Sequence, residues 1–159
     1  MTVHIRPAVL SDIGAIREIA RIAWHHTYEN LIPEPIRHQF LSVAYSDEML
    51  KRRMGESIFL VAEAKGKVSG FIQVTEKEGT AVIDAIYVFP ELQGQGIGTK
   101  LLAQTSEKLK NLNEWTVEVE SGNETGIRFY KARGFQAVEE YKEPFFGYDL
   151  KTVRMKKTF

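Results

Sequence analysis

A β-rich run, Ala81–Val88, passes through Pro90 into three glycines on alternate positions, Gly94, Gly96 and Gly98, and then into apolar residues at helical spacing, Ile97, Leu101, Leu102 and Leu109. A strand that feeds a helix through a glycine turn makes the helix open beside the end of the strand, and the helix must then fold back over a sheet. That commits the chain to an architecture combining sheet and helices. It also collects unpaired backbone amides and the positive end of a helix dipole at one point, where an anion such as a pyrophosphate is expected to bind. Glycine suits that turn because a ligand comes close to the backbone only where no Cβ intrudes.

The remaining elements are legible from periodicity. Val3 to Arg6 reads as a short strand ended by Pro7, and Ser11 stands where it would cap a helix whose apolar face is Ile13, Ile16, Ala20, Ala23 and Trp24. Pro33 and Pro35 break that helix and start a second one with Ile36, Phe40, Leu41 and Ala44, after which Ser46 caps a further turn or two carrying Met49, Leu50 and Met54. Ile58 to Glu63 and Val68 to Val74 form a hairpin across Lys65-Gly66-Lys67. Trp115 to Glu120 is a strand, Asn123 to Arg133 a helix stopped by Gly134, and Phe135 to Glu139 and Leu150 to Met155 the last two strands. A meander followed by crossovers predicts an α/β (α+β) fold: a mixed, mostly antiparallel sheet of six to seven strands with helices on both faces.

With 159 residues and no linker or repeat, a single domain over 1–159 is expected. Twenty-one Lys plus Arg balance twenty-one Asp plus Glu, so no global field favours nucleic acid as a partner. Cysteine is absent, which excludes disulfides, thiolate metal sites and a cysteine nucleophile and suits a reducing compartment. The N-terminus lacks a secretory pattern and no window nears the roughly 18 apolar residues of a membrane span, so the cytoplasm is the expected location, with no membrane association. A two-fold homodimer is the default assembly.

Several phosphate-binding patterns compete for the glycines. Gly98-Thr99-Lys100 has the wrong order for a P-loop, and the dinucleotide fingerprint fails at its third glycine, where Thr99 stands, although Glu118 lies at about the distance that fold's acidic residue occupies. A ligand-free turn is the bland alternative. The wider pattern is more specific. Gln93-x-x-Gly96-x-Gly98, preceded by Ile86-Tyr87-Val88-x-Pro90, resembles the coenzyme A pyrophosphate motif of the GNAT acetyltransferases, and Asn123, Phe129-Tyr130 and Gly134-Phe135 resemble that superfamily's second block. Both stand in register, and the likeness extends over the element order of nearly the whole chain. Trp24-His25-His26-Thr27-Tyr28 through Ile32-Pro33 also looks like the acceptor-side helices of bacterial members. Gly126 departs from the pattern, standing where alanine is commoner.

The resemblance implies an acetyl-CoA-dependent N-acetyltransferase that passes an acetyl group directly to a primary amine of a small molecule or peptide. The alternative is a non-catalytic acyl-CoA-binding or regulatory domain of the same fold. Acetyl-CoA would lie between two splayed strands, its pantetheine arm paired with backbone groups of Ile86, Tyr87 and Val88, its pyrophosphate on Gln93, Gly94, Gln95, Gly96, Ile97, Gly98 and Thr99, and Asn123 and Tyr130 against the arm. Tyr130 would protonate the leaving thiolate. A carboxylate is wanted to take a proton from the amine, and Glu118, Asp84 and Glu120 are the candidates, Glu120 sharing a strand face with Glu118.

No metal site is expected, since His4, His25, His26 and His38 include no i, i+4 pair with a carboxylate at ligand spacing. Trp24, Tyr28, Phe40, Tyr45, Phe145 and Phe146 are either core or the walls of an acceptor pocket.

Overall fold

The computed structural model describes residues 2–159. Seven strands, β1 (Val3–Pro7), β2 (Ile58–Ala64), β3 (Lys67–Lys77), β4 (Thr80–Val88), β5 (Glu114–Glu120), β6 (Gln136–Phe145) and β7 (Tyr148–Thr158), form one sheet in the order β1-β2-β3-β4-β5-β7-β6. The β4–β5 pair is parallel and every other pair is antiparallel. Among the described residues the five α-helices are α1 (Ile13–Tyr28), α2 (Glu34–Ala44), α3 (Asp47–Glu56), α4 (Ile97–Lys108) and α5 (Glu124–Ala132).

Each face of the sheet carries its own core. Ile16, Ile19 and Ala20 of α1 and Leu50 of α3 pack with Phe59, Val61 and Phe71. On the opposite face Ile97 and Leu101 of α4 and Tyr130 of α5 pack with Ile72, Val74, Trp115 and Met155. Fully burying a side chain of this size contributes about 1.5–3 kcal/mol, so these two layers dominate the stability of the fold.

Three expectations needed correction. Ser11 does not cap α1: it sits inside a short 3-10 turn, Leu10–Asp12, and no side chain caps the helix that follows. Asp12 organises this corner instead, accepting the Val9 amide at 2.8 Å and gripping the Arg6 guanidinium at 2.7 and 2.9 Å. The turn or two after Ser46 is a full helix, α3, with the Ser46 hydroxyl accepting the Met49 amide as expected of a cap. The last two strands run well beyond Phe135 to Glu139 and Leu150 to Met155, because they form a long hairpin across Phe146 and Gly147 with β7 inserted between β5 and β6.

The feature that positions the site is a break in the middle of the sheet. β4 and β5 pair only from Thr80–Glu114 to Ile83–Val117. Against β3 the register jumps at the same place, Val74 facing Ile83 and Gln73 facing Ala85, which leaves Asp84 as an extra residue. An inserted residue bends and twists its strand. The parity of β4 shifts with it: Ala81 and Ile83 belong to the core under α4, and beyond the bulge Ile86 and Val88 take over that face while Ala85 and Tyr87 turn toward α1. β4 thus diverges from β5, and the β5-facing edge of Asp84–Val88 has no strand partner among the described residues.

Candidate active site

The divergence opens a cavity of about 720 Å³ floored by the free ends of β4 and β5 and walled by the C-terminal turn of α1 and the N-termini of α4 and α5. At one end the turn from Gln93 to Gly96 leads into α4. Gly94 and Gly96 have φ of 81° and 84°, a region closed to most side chains, so the turn itself demands glycine there. Gly98 serves a different purpose, since a Cβ at this position would lie 3.3 Å from the Phe129 ring. The glycines therefore shape the turn and seat α4 against α5, beyond the ligand approach the sequence suggested. Among the described residues, no backbone or side-chain acceptor takes the amides of Gly94 through Thr99. A run of unpartnered donors at the positive end of a twelve-residue helix suits an anion such as a diphosphate.

Arg133 stands beside these amides and was not singled out from the sequence. Its guanidinium lies 3.8 Å over the Phe129 ring, donates to the Phe129 carbonyl at 2.8 Å and reaches the Thr99 hydroxyl at the first turn of α4. Its Nε is buried without a partner among the described residues. The cue was present only as a basic residue next to Gly134; the span from Thr99 to Arg133 is a tertiary contact.

At the other end of the cavity the candidate residues separate into distinct environments. Tyr130 is 6% exposed, packed edge-on against Phe129 and Phe135, and its hydroxyl has no hydrogen-bond partner among the described residues. Burial, with the neighbouring Tyr28, pushes its pKa well above the usual phenol value, so it stays protonated and able to donate. Asn123 caps α5, its Oδ1 accepting the Gly126 amide at 3.0 Å while its Nδ2 donates to the Tyr28 hydroxyl at 3.4 Å. Gly126 leaves room for this arrangement: a Cβ there would lie 2.7 Å from Asn123 Nδ2.

The three carboxylates do not share one fate. Asp84, the bulge residue, faces the cavity and accepts a 2.5 Å hydrogen bond from the Thr75 hydroxyl. Desolvation raises its pKa, opposed by the Thr75 bond and the charge of Arg53. Glu118 also lines the cavity, across the gap on β5, and adds to burial in raising the pKa of Tyr141. Glu120 turns away, both of its oxygens accepting the Gly122 amide at 3.0 Å, and it holds the turn between β5 and α5.

The aromatic set divides as sharply. Tyr28 alone of the six lines the cavity, with its phenol pKa pushed up to about 12 by burial. Trp24 stacks on Phe40 at 4.2 Å and donates from Nε1 to the Tyr87 hydroxyl at 2.8 Å, joining α1, α2 and β4. Phe145 and Phe146 pack against Phe40, and Tyr45 belongs to the core under α1. His26 and Thr27 also line the cavity, contributions that periodicity did not reveal. Among the described residues no three His, Asp or Glu side chains gather as a metal site.

A family model described as an acetyltransferase (GNAT) domain matches residues 22–159. The chain belongs to the GNAT acetyltransferase family. The GNAT relatives include the spermidine N(1)-acetyltransferase of Thermoplasma acidophilum, 28% identical over 144 residues that span 86% of this chain and 89% of that protein. An uncharacterized N-acetyltransferase of Bacillus subtilis, YuaI, is 30% identical over 161 residues, 95% of this chain and 90% of that one. Among solved structures, the PaiA N-acetyltransferase of Thermoplasma acidophilum in complex with coenzyme A superposes with a TM-score of 0.87 at 26% identity, all of both chains being covered. The protein is thus an N-acetyltransferase with the GNAT fold, and a GNAT structure of the same architecture holds coenzyme A.

Proposed function

We propose that the protein transfers the acetyl group of acetyl-CoA to a primary amine of a small cationic molecule, and that the residues around the gap between β4 and β5 carry the reaction. The observation that supports this most is the conjunction of unpartnered amides, Gly94 through Thr99, with an unpaired strand edge, Asp84–Val88, in one cavity. The amides suit the diphosphate, and the edge suits an amide-bearing arm that adds like a strand at Ile86, Tyr87 and Val88. Gln93, whose side chain donates to the Val88 carbonyl at 3.4 Å, ties the edge to the cradle.

The amine nitrogen attacks the thioester carbonyl, the C–N bond forms and the C–S bond breaks. Asp84 takes the proton of the amine, its raised pKa bringing it closer to the basicity that a base needs at neutral pH. Tyr130 gives its proton to the departing sulfur, and an amide of the β4 edge stabilises the carbonyl oxygen as it gains charge. Asp84 and Glu118 together make the acceptor end acidic, and Tyr28 adds an aromatic face, a combination that attracts an ammonium group. The likeness to a spermidine N(1)-acetyltransferase supports a polyamine as that acceptor. The whole of residues 1–159 serves this one catalytic unit, acting in the cytoplasm; among the described residues no helix is long and apolar enough to cross a membrane.

The reading is tested by thiol release from acetyl-CoA across a panel of polyamines, amino acids and peptides with free N-termini. Turnover with spermidine or spermine well above that with the uncharged or zwitterionic acceptors is expected. Equal rates with neutral amines, or activity only with peptides, would remove the cationic acceptor.

A further inference from the structure

A second cleft, of about 440 Å³, lies between α1 and α2 on the outside of the fold. Arg21 and His25 at successive turns of α1 and Glu29 at its C-cap approach it, and Glu34, Arg37 and His38 approach it from one face of α2. Arg37 is only 6% exposed, and its Nε and Nη1 are buried with no acceptor among the described residues. A guanidinium stays charged at any accessible pH, and a buried charge is stable only when paired and hydrogen-bonded. The contrast within this chain is Arg6, which is enclosed by the carboxylates of Asp12 and Glu63.

The groups around Arg37 do not supply its partner. Glu34 is turned to His38, with 3.2 Å between Oε1 and Nε2, and Arg21 is held by Glu18 at 2.5 Å. Glu29 is exposed and forms no ion pair among the described residues. The His25 and His38 rings stand 4.9 Å apart, and burial first, then the charge of Arg37, keeps His25 toward its neutral form. The lining thus offers one desolvated, uncommitted cation and imidazoles that gain hydrogen-bond strength when a negative group arrives.

We propose that this cleft is an oxyanion site, in which Arg37 binds the carboxylate or phosphoryl group of a small molecule and His25 and Arg21 close its rim. The guanidinium matches the planar fork of a carboxylate or two oxygens of a phosphate, a fit that a lysine lacks. His26 borders both this cleft and the main cavity, so a bound anion sits against the helix that carries Tyr28 to the active site.

The test follows the imidazole resonances of His25 and His38 by NMR at fixed pH, with ionic strength held by chloride, during titration with inorganic phosphate and, separately, with acetate. Saturable shifts of both rings are expected, with a midpoint raised at least about tenfold in Arg37→Lys, which keeps the charge and loses the fork. Arg37→Gln, where it folds, should abolish them. Saturation by phosphate with acetate silent assigns a phosphoryl ligand, and saturation by acetate assigns a carboxylate. Shifts that grow linearly, an unchanged midpoint in Arg37→Lys, or saturable changes confined to the amides of Gly94 through Thr99 would each overturn the proposal. So would a Glu29→Gln variant as unstable as Arg37→Lys, because Glu29 would then be the partner of Arg37.

Discussion

Tyr130→Phe is expected to lower kcat by about 10²–10⁴-fold, the usual contribution of a positioned proton donor, while leaving the affinity for coenzyme A unchanged. The ring is locked between Phe129 and Phe135, so removing one oxygen leaves the packing intact. The hydroxyl has no partner among the described residues to be orphaned by the change, so the thermal midpoint should also hold. Comparing turnover under saturating acetyl-CoA with the calorimetric affinity for coenzyme A separates the two effects. A phenylalanine variant with wild-type kcat would assign the proton to another group, water included.

Asp84→Asn is expected to cost about 10²-fold in kcat/KM and to remove the acidic limb of the pH–rate profile. In the wild-type enzyme that limb should be displaced upward from that of a free aspartate, because partial desolvation raises the pKa of Asp84. The sign for stability is opposite. A carboxyl whose folded pKa is raised holds its proton more tightly in the folded state, so folding loses stability as pH rises through the unfolded and then the folded value. The asparagine removes that burden and keeps an acceptor for the Thr75 hydroxyl. Asp84 is solvent-exposed and water screens most of that burden, so the variant's thermal midpoint should rise only slightly at neutral pH, and the gain should vanish below about pH 3, where both forms are neutral. An acidic limb that survives in Asp84→Asn and disappears in Glu118→Gln would transfer the base to β5.

Much of the fold was legible because the residues that decide it act locally. Ser46 caps its helix, Asn123 caps α5, and the strand, glycines and helix from Ala81 onward appear where the β-rich run and the 3.6-residue period place them. The bulge at Asp84 was not legible: it reverses the parity of β4, but Ala85, Ile86, Tyr87 and Val88 are all apolar or aromatic, so the run shows no break, and only the register against β3 reveals the extra residue. Yet it opens the gap on which the site depends. Glu118 and Glu120 share parity on β5 and looked equivalent; the amide of Gly122 distinguishes them, and that contact depends on the path of the turn. β6 and β7 extend past the strands expected over Phe135 to Glu139 and Leu150 to Met155, because β6 is an edge strand whose exposed residues carry little apolar alternation. Arg133 reaches Thr99 across a tertiary contact, so it had no sequence signal beyond its charge.

The most direct measurement is a backbone-amide NMR titration with coenzyme A. The amides of Gly94 through Thr99 should shift together and saturate at one ligand per chain, accompanied by those of Ile86, Tyr87 and Val88. Unshifted amides at the start of α4, with no heat of binding, would contradict a cradle that holds the diphosphate and sets the thioester between β4 and β5.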